Sequence, residues 1–293
     1  MATITKRLFF FLLLLTAAVR SALHEPFPQG YLMGNLGTII YEDGPGGRAP
    51  LLSAAFMNDS PAVGLSAAVT TYYDDMDNFS DRHFATATGG IWFALKRLRL
   101  KSTISIFDAL GTYREQSGYL SGAIELPRNI RVSLDLSGVR FFLVAPGENA
   151  VTLGLGGISL FFPLKLVSFS ATVDRIVLKS GGIDGGDPDL RIRCGIHTTR
   201  HAFGAQGVLV TINPAYEHPV SVAIGQEFRL SPVIAIHGAV ANNPLFFGLG
   251  ISVFPGSATA SASLVNHPIL GWSRGFSADY GWTPAALKKI NKR

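Results

Sequence analysis

Charge is what this sequence most lacks. Acidic and basic residues fill 15% of its 293 positions, against roughly 25% in ordinary soluble domains. Such a chain either buries nearly everything or faces lipid. Cysteine is almost missing too: Cys194 is the one thiol, which excludes an intramolecular disulfide. An exported fold would then hold together through its strand ladder, without the staples of small secreted domains. No apolar run beyond the first 22 residues approaches the roughly 20 needed for a spanning helix. If the chain crosses a membrane, it must do so as a closed barrel, where every backbone group finds a partner strand. Nor is there a basic stripe. The formal charge is +5, but Lys6, Arg7, Lys288, Lys289, Lys292 and Arg293 lie at the two ends, which argues against nucleic acid as a partner.

What the chain does have is hydrophobic residues at 47%, with 32 glycines and 20 phenylalanines, and a mean hydropathy of +0.29. Residues 1–22 read as a cleaved signal peptide: Lys6-Arg7, then the apolar run Leu8 to Leu15, then Val19-Arg20-Ser21. Residues 23–63 form an extension with Pro26, Pro28, Pro45 and Pro50, in which Leu51 to Met57 can make a helical turn. It reads as a plug inside a barrel or an arm outside it. Residues 64–282 are nearly all strand signal, and 283–293 form a basic tail. The fold expected is all-β, a single antiparallel transmembrane barrel of roughly 12–15 strands. The segmentation sets separate strands at 130–137 and 139–145 and starts another at 118.

Alternation carries the membrane reading, since strand side chains repeat every two residues. Ile130, Val132, Leu134 and Leu136 alternate with Arg131, Ser133, Asp135 and Ser137. Leu190, Ile192, Cys194 and Ile196 alternate with Arg191, Arg193, Gly195 and His197. The wet face is Gly, Ser, Ala and Thr, not the Lys and Glu of a sandwich surface. The last strand is the clearest case. Phe276, Ala278, Tyr280 and Trp282 share an oily face that begins with Trp272, and these aromatics suit a lipid rim. Arg274 has the parity of that face, which places it at the membrane rim unless Gly275 marks a bulge.

Candidate lumen residues are Arg131, Asp135, Asp174, Arg191, Arg193 and His197, with the arginines paired to Asp174 or Asp135 or free to favour anions. Cys194 and His197 differ in parity, so they make no metal pair. Asp184, Asp187 and Asp189 lie in a glycine-rich loop that offers calcium three carboxylates. That loop lacks the EF-hand spacing and reads first as a solvated rim. No nucleophile elbow, phosphate loop or zinc-protease motif occurs, so neither an enzyme nor a cofactor is expected.

Two stretches resemble a known family. Asn266-His267-Pro268-Ile269-Leu270-Gly271-Trp272, running into Gly275-Phe276-Ser277, is similar to the last hairpin of outer-membrane barrels related to long-chain fatty-acid transporters, including their secretion-associated shuttle branch. Gly47-Arg48-Ala49 and the plug elements Asn58, Pro61, Ala62 and Leu65 look like that family's N-terminal motifs, with Asp59-Ser60 inserted. The resemblance implies an outer-membrane barrel with a lumen plug, handling hydrophobic small molecules or assisting export, with membrane lipid and export machinery as partners. The alternatives are a general diffusion porin, a structural barrel, or a secreted soluble β-sandwich.

Overall fold

The alternation becomes register in a computed structural model, which describes residues 53–57, 62–72, 84–109, 113–143, 151–181, 190–198, 204–214, 219–243, 245–267 and 271–284. The first seven strands are β1 (Val63–Tyr72), β2 (Phe84–Leu95), β3 (Leu98–Ala109), β4 (Tyr113–Glu125), β5 (Arg131–Leu143), β6 (Val151–Pro163) and β7 (Val167–Gly181). The second seven are β8 (Arg191–Thr198), β9 (Gly204–Ile212), β10 (Val220–Ser231), β11 (Ile234–Ala241), β12 (Phe246–Val253), β13 (Ala258–His267) and β14 (Gly271–Trp282). Each strand pairs with its sequence neighbours, and β1 pairs antiparallel with β14 to close the barrel. The seam runs from Val63 opposite Trp282 to Thr71 opposite Arg274. Closure removes both sheet edges, so the ladder has no open side facing lipid.

Two parts of the segmentation differ from the sequence reading by more than a shift of two or three residues. Segments 130–137 and 139–145 are one strand, β5, because Gly138 faces outward with open space around it and the alternation runs straight through. β4 starts at Tyr113, five residues early, and Arg114 anchors this extension by an ion pair with Asp108 on β3. There is no bulge at Gly275, where the β1–β14 register is continuous. A bulge sits instead in β7. Asp174 and Arg175 together oppose Gly157 of β6, and Arg175 takes a φ of +65°. A Cβ on Gly157 would lie 3.0 Å from the Val173 carbonyl oxygen, so this close approach favours glycine.

The barrel is inside out relative to a soluble protein. Ile104 is 67% exposed, Leu249 62% and Phe276 60%, all on the outer wall. Buried inward positions include Thr70, Thr103, Ser121, Ser133, Ser159 and Ser261. A soluble sandwich would show the reverse, so this is a membrane-spanning barrel. On β14, Trp272 marks one rim, while Tyr280 and Trp282, stacked at 5.9 Å, mark the other. Ten residues separate the two tryptophans, about 33 Å along a strand. At a tilt of roughly 40° this gives about 25 Å of height, the apolar band of an outer-membrane barrel. Both barrel ends, Val63 and Trp282, lie at the rim of tight turns such as Lys96-Arg97 between β2 and β3. The strand ends that bound the longer connections, such as Tyr72 and Phe84 or Gly181 and Arg191, lie at the opposite rim.

Among the described residues, one element stands inside. Ser53 caps a single 3₁₀ turn, Ala54–Phe56, and residues 53–57 are all buried within the barrel. Two substitutions on neighbouring β3 positions separate the two faces. Ile104→Arg on the outer wall should lower unfolding free energy in lipid vesicles by about 2–4 kcal/mol. Ser105→Ala on the inner wall loses one hydroxyl contact to Thr88 and should cost about 1 kcal/mol. Urea titration of both variants measures the difference.

Candidate functional site

The inner wall from β3 to β8 carries two polar clusters. The first is built around Asp135, which β5 presents inward at 5% exposure. Its carboxylate accepts from Ser121 on β4, from Ser133 on its own strand at 3.3 Å and from Ser159 on β6 at 2.8 Å. Thr172 of β7 extends the belt by donating to Ser159 at 3.2 Å. Lys101, 2% exposed on β3, lies within electrostatic reach of Asp135 and of Asp279 on β14. Such a buried carboxylate persists only because donors and an ammonium surround it.

The N-terminal turn is seated on this belt. The Ala54 N–H donates to Ser121 Oγ at 2.7 Å, and the Ser53 and Ser133 hydroxyls are bonded to each other. Arg131 Nη1 donates to the Met57 carbonyl at 2.8 Å. The same guanidinium lies over the Phe161 ring, which Phe56 meets edge-on at 5.7 Å. Glu125 holds Arg131 in place and also accepts from fully buried Arg99 at 2.6 Å. Apolar packing completes the seat, with Ala54, Ala55, Phe56 and Met57 against Trp92, Ala123, Phe161 and Ala205.

The second cluster depends on the β7 bulge, which turns the adjacent Asp174 and Arg175 both inward. Asp174 takes a bidentate pair from Arg191, Nε and Nη2 each at 2.9 Å, and a further bond from Arg193 Nη2. Arg175 lies within electrostatic reach of Arg191, Arg193, Asp174 and Glu115 of β4. Three guanidiniums thus gather around one paired carboxylate. His197 stands apart, fully buried, with its Nε2 2.9 Å from Ser170 Oγ.

Each candidate residue from the sequence has a position. Arg131, Asp135, Asp174, Arg191, Arg193 and His197 all point inward, and Asp174 pairs with Arg191 and Arg193. Trp272, Phe276, Tyr280 and Trp282 are exposed on the outer wall. Ala62 is buried at the foot of β1, and its N–H donates to Thr283 Oγ1 at 3.2 Å. Leu65 lies on β1 facing lipid, not in the lumen. Asn58, Pro61, Asp184, Asp187, Asp189, the signal segment 1–22 and most of the basic tail lie outside the described residues. Cys194 faces outward, opposite to His197. Among the described residues no three His, Cys, Asp or Glu side chains form a metal seat.

Sequence reasoning missed Arg99, Lys101, Glu125 and Arg175. The first two were legible from parity, since they alternate with Leu98, Leu100 and Ser102. Arg175 had a signal as well: apolar residues fall on odd numbers up to Val173 and on even numbers from Ile176, a phase flip that marks an inserted residue.

The arrangement defines a class: a closed membrane barrel with a charged, hydroxyl-lined interior and an N-terminal turn seated within. No family model matches the sequence, and no curated protein does. Among solved structures the chain is similar to engineered variants of the Rhodopseudomonas blastica porin. One tryptophan-substituted form is 10% identical with a TM-score of 0.43, covering 75% of this chain and 99% of the porin. A triple mutant of the same porin is 9% identical with a TM-score of 0.44 and the same coverage. These comparisons do not single out the long-chain fatty-acid transporters.

Removing the hub of the belt tests it. Asp135→Ala removes the shared acceptor of three hydroxyls and one of the two carboxylates near Lys101, and should cost about 3–5 kcal/mol in vesicle unfolding. Ser121→Ala with Ser133→Ala should release the turn. A cysteine at Ala54, in a Cys194→Ser background, then changes from protected to readily labelled by a water-soluble maleimide.

Proposed function

We propose that this chain is an outer-membrane barrel of the general diffusion type, exported by a cleaved leader, that passes small polar solutes. The observation that carries the reading is the pairing of an apolar outer wall with a lumen of Ser, Thr and charged side chains. Fourteen strands enclose more than side chains alone fill at eight, and approach the count at which barrels hold water-filled channels. Passage of hydrophobic molecules has less support. The largest internal apolar cluster among the described residues is already occupied by Phe56, Met57 and their neighbours. Among the described residues, nothing in the lumen nominates a catalytic group.

Reconstitution into planar bilayers tests the reading: the protein should give stable stepwise conductance, and a sealed barrel would overturn it. Arg191→Gln with Arg193→Gln removes two of the three guanidiniums around Asp174, so the reversal potential in a salt gradient should shift toward cation preference. An unchanged potential would remove this cluster from the conduction path.

The complete burial of residues 53–57 favours a second reading, in which the turn keeps the barrel closed until it is displaced. That version expects little current from the parent and a clear rise in Ser121→Ala/Ser133→Ala. Equal currents in both proteins would decide against it.

A further inference from the structure

The outer wall carries a feature that passage through the lumen does not use. Near the closing seam, Ala67, Ala260, Ala262 and Ala278 floor an apolar groove of about 440 Å³, walled by Val69 and Phe276 among others. The register explains it. Ala278 pairs with Ala67 on one side and Ala260 on the other, so three methyl groups lie in one row across β1, β14 and β13. The next row holds Val69, Phe276 and Ala262, and the row above that holds Thr71, Arg274 and Leu264. Arg274 is exposed on this same outer wall, four residues from Ala278, about 13 Å along the strand. It lies toward the rim of the long connections, where a long side chain can lift its guanidinium to headgroup level. Arg140 is exposed on the outer wall of β5 near the same rim. Tyr280 and Trp282 hold the opposite rim.

We propose that this groove and Arg274 together seat one anionic phospholipid of the leaflet at the long-connection rim, its acyl chain on the alanine floor and its phosphate on the guanidinium. Both parts of the site match one amphiphile: a concave apolar slot at mid-membrane depth, and a cation above it at the height of phosphate. A guanidinium forms its strongest hydrogen bonds with such an oxyanion. A second copy of the barrel fits less well. Two copies in one membrane share an up–down direction, so a two-fold contact through this face would set Arg274 against its symmetry mate at equal height. The seat is independent of what the lumen carries.

The test uses the full chain in phosphatidylcholine nanodiscs containing a minority of phosphatidylglycerol, released into detergent and weighed by native mass spectrometry. Folding of each variant is checked by the mobility shift on boiling. The parent should retain one phosphatidylglycerol in preference to phosphatidylcholine. Arg274→Gln should lower that retention about tenfold, as loss of one charge-assisted contact implies. Ala262→Leu with Ala278→Leu, which fills the groove, should lower it comparably. Retention unchanged in either variant overturns the proposal. So does a parent that runs as a dimer and becomes monomeric when the groove is filled, since the face would then be an interface between copies.

Discussion

Every feature of this molecule depends on the pairing of β1 with β14. A sheet in hydrocarbon has no water to satisfy its edge groups, so the ladder must return to its own beginning. The residues at the seam allow it to do so. Ser66 and Ala68 on β1 meet Asp279 and Ser277 on β14 in a continuous register, and glycine faces glycine where Gly64 meets Gly281. The Trp92 ring occupies the space that a Cβ on Gly64 would take, at 2.0 Å. A large residue from β2 therefore crosses the foot of the seam from inside. Glycine here is a packing requirement and not a source of freedom.

Closure creates an interior that the chain furnishes unevenly. From β3 to β8 the inner wall carries long charged side chains held by cross-strand partners. From β9 to β14 it is mostly Gly, Ala, Ser and Thr, with Glu227, His237 and Asp279 among the exceptions. The N-terminal turn rests on the charged side, where the Ser121 hydroxyl accepts from its backbone and Arg131 donates to it. This division follows from satisfaction of buried polar groups. A short 3₁₀ turn exposes unpaired carbonyls and N–H groups, and only a wall rich in Ser and Arg can meet them.

The outer wall was almost entirely legible in the sequence, because lipid contact imposes strict alternation over ten or more residues. Leu134, Leu249 and Phe276 were placed by parity alone. The lumen was legible only where parity held. Arg191, Arg193 and His197 could be assigned together, and Asp174, the partner of both arginines, was one of the two carboxylates named. Arg175 was missed because a bulge breaks the count there, and its one trace is the phase flip between Val173 and Ile176. The seating of residues 53–57 was also out of reach. Ser53 and Ser133 are 80 residues apart, and nothing local in either stretch records the other. Gly138 misled in the opposite direction, reading as a break where an outward glycine in a paired ladder interrupts nothing.

The position of the turn has a consequence for how the barrel assembles. Residues 53–57 precede β1, yet their bonds go to β4 and β5, which follow them in the chain by 67 to 80 residues. The turn cannot seat until the β4–β5 hairpin exists, and it must be on the concave side before β14 meets β1. Otherwise it has to thread in from an open end. A chain folding strand by strand from its N-terminus would thus carry an undocked leader through the early steps, and the order in which hairpin, turn and seam form becomes part of what the sequence has to encode.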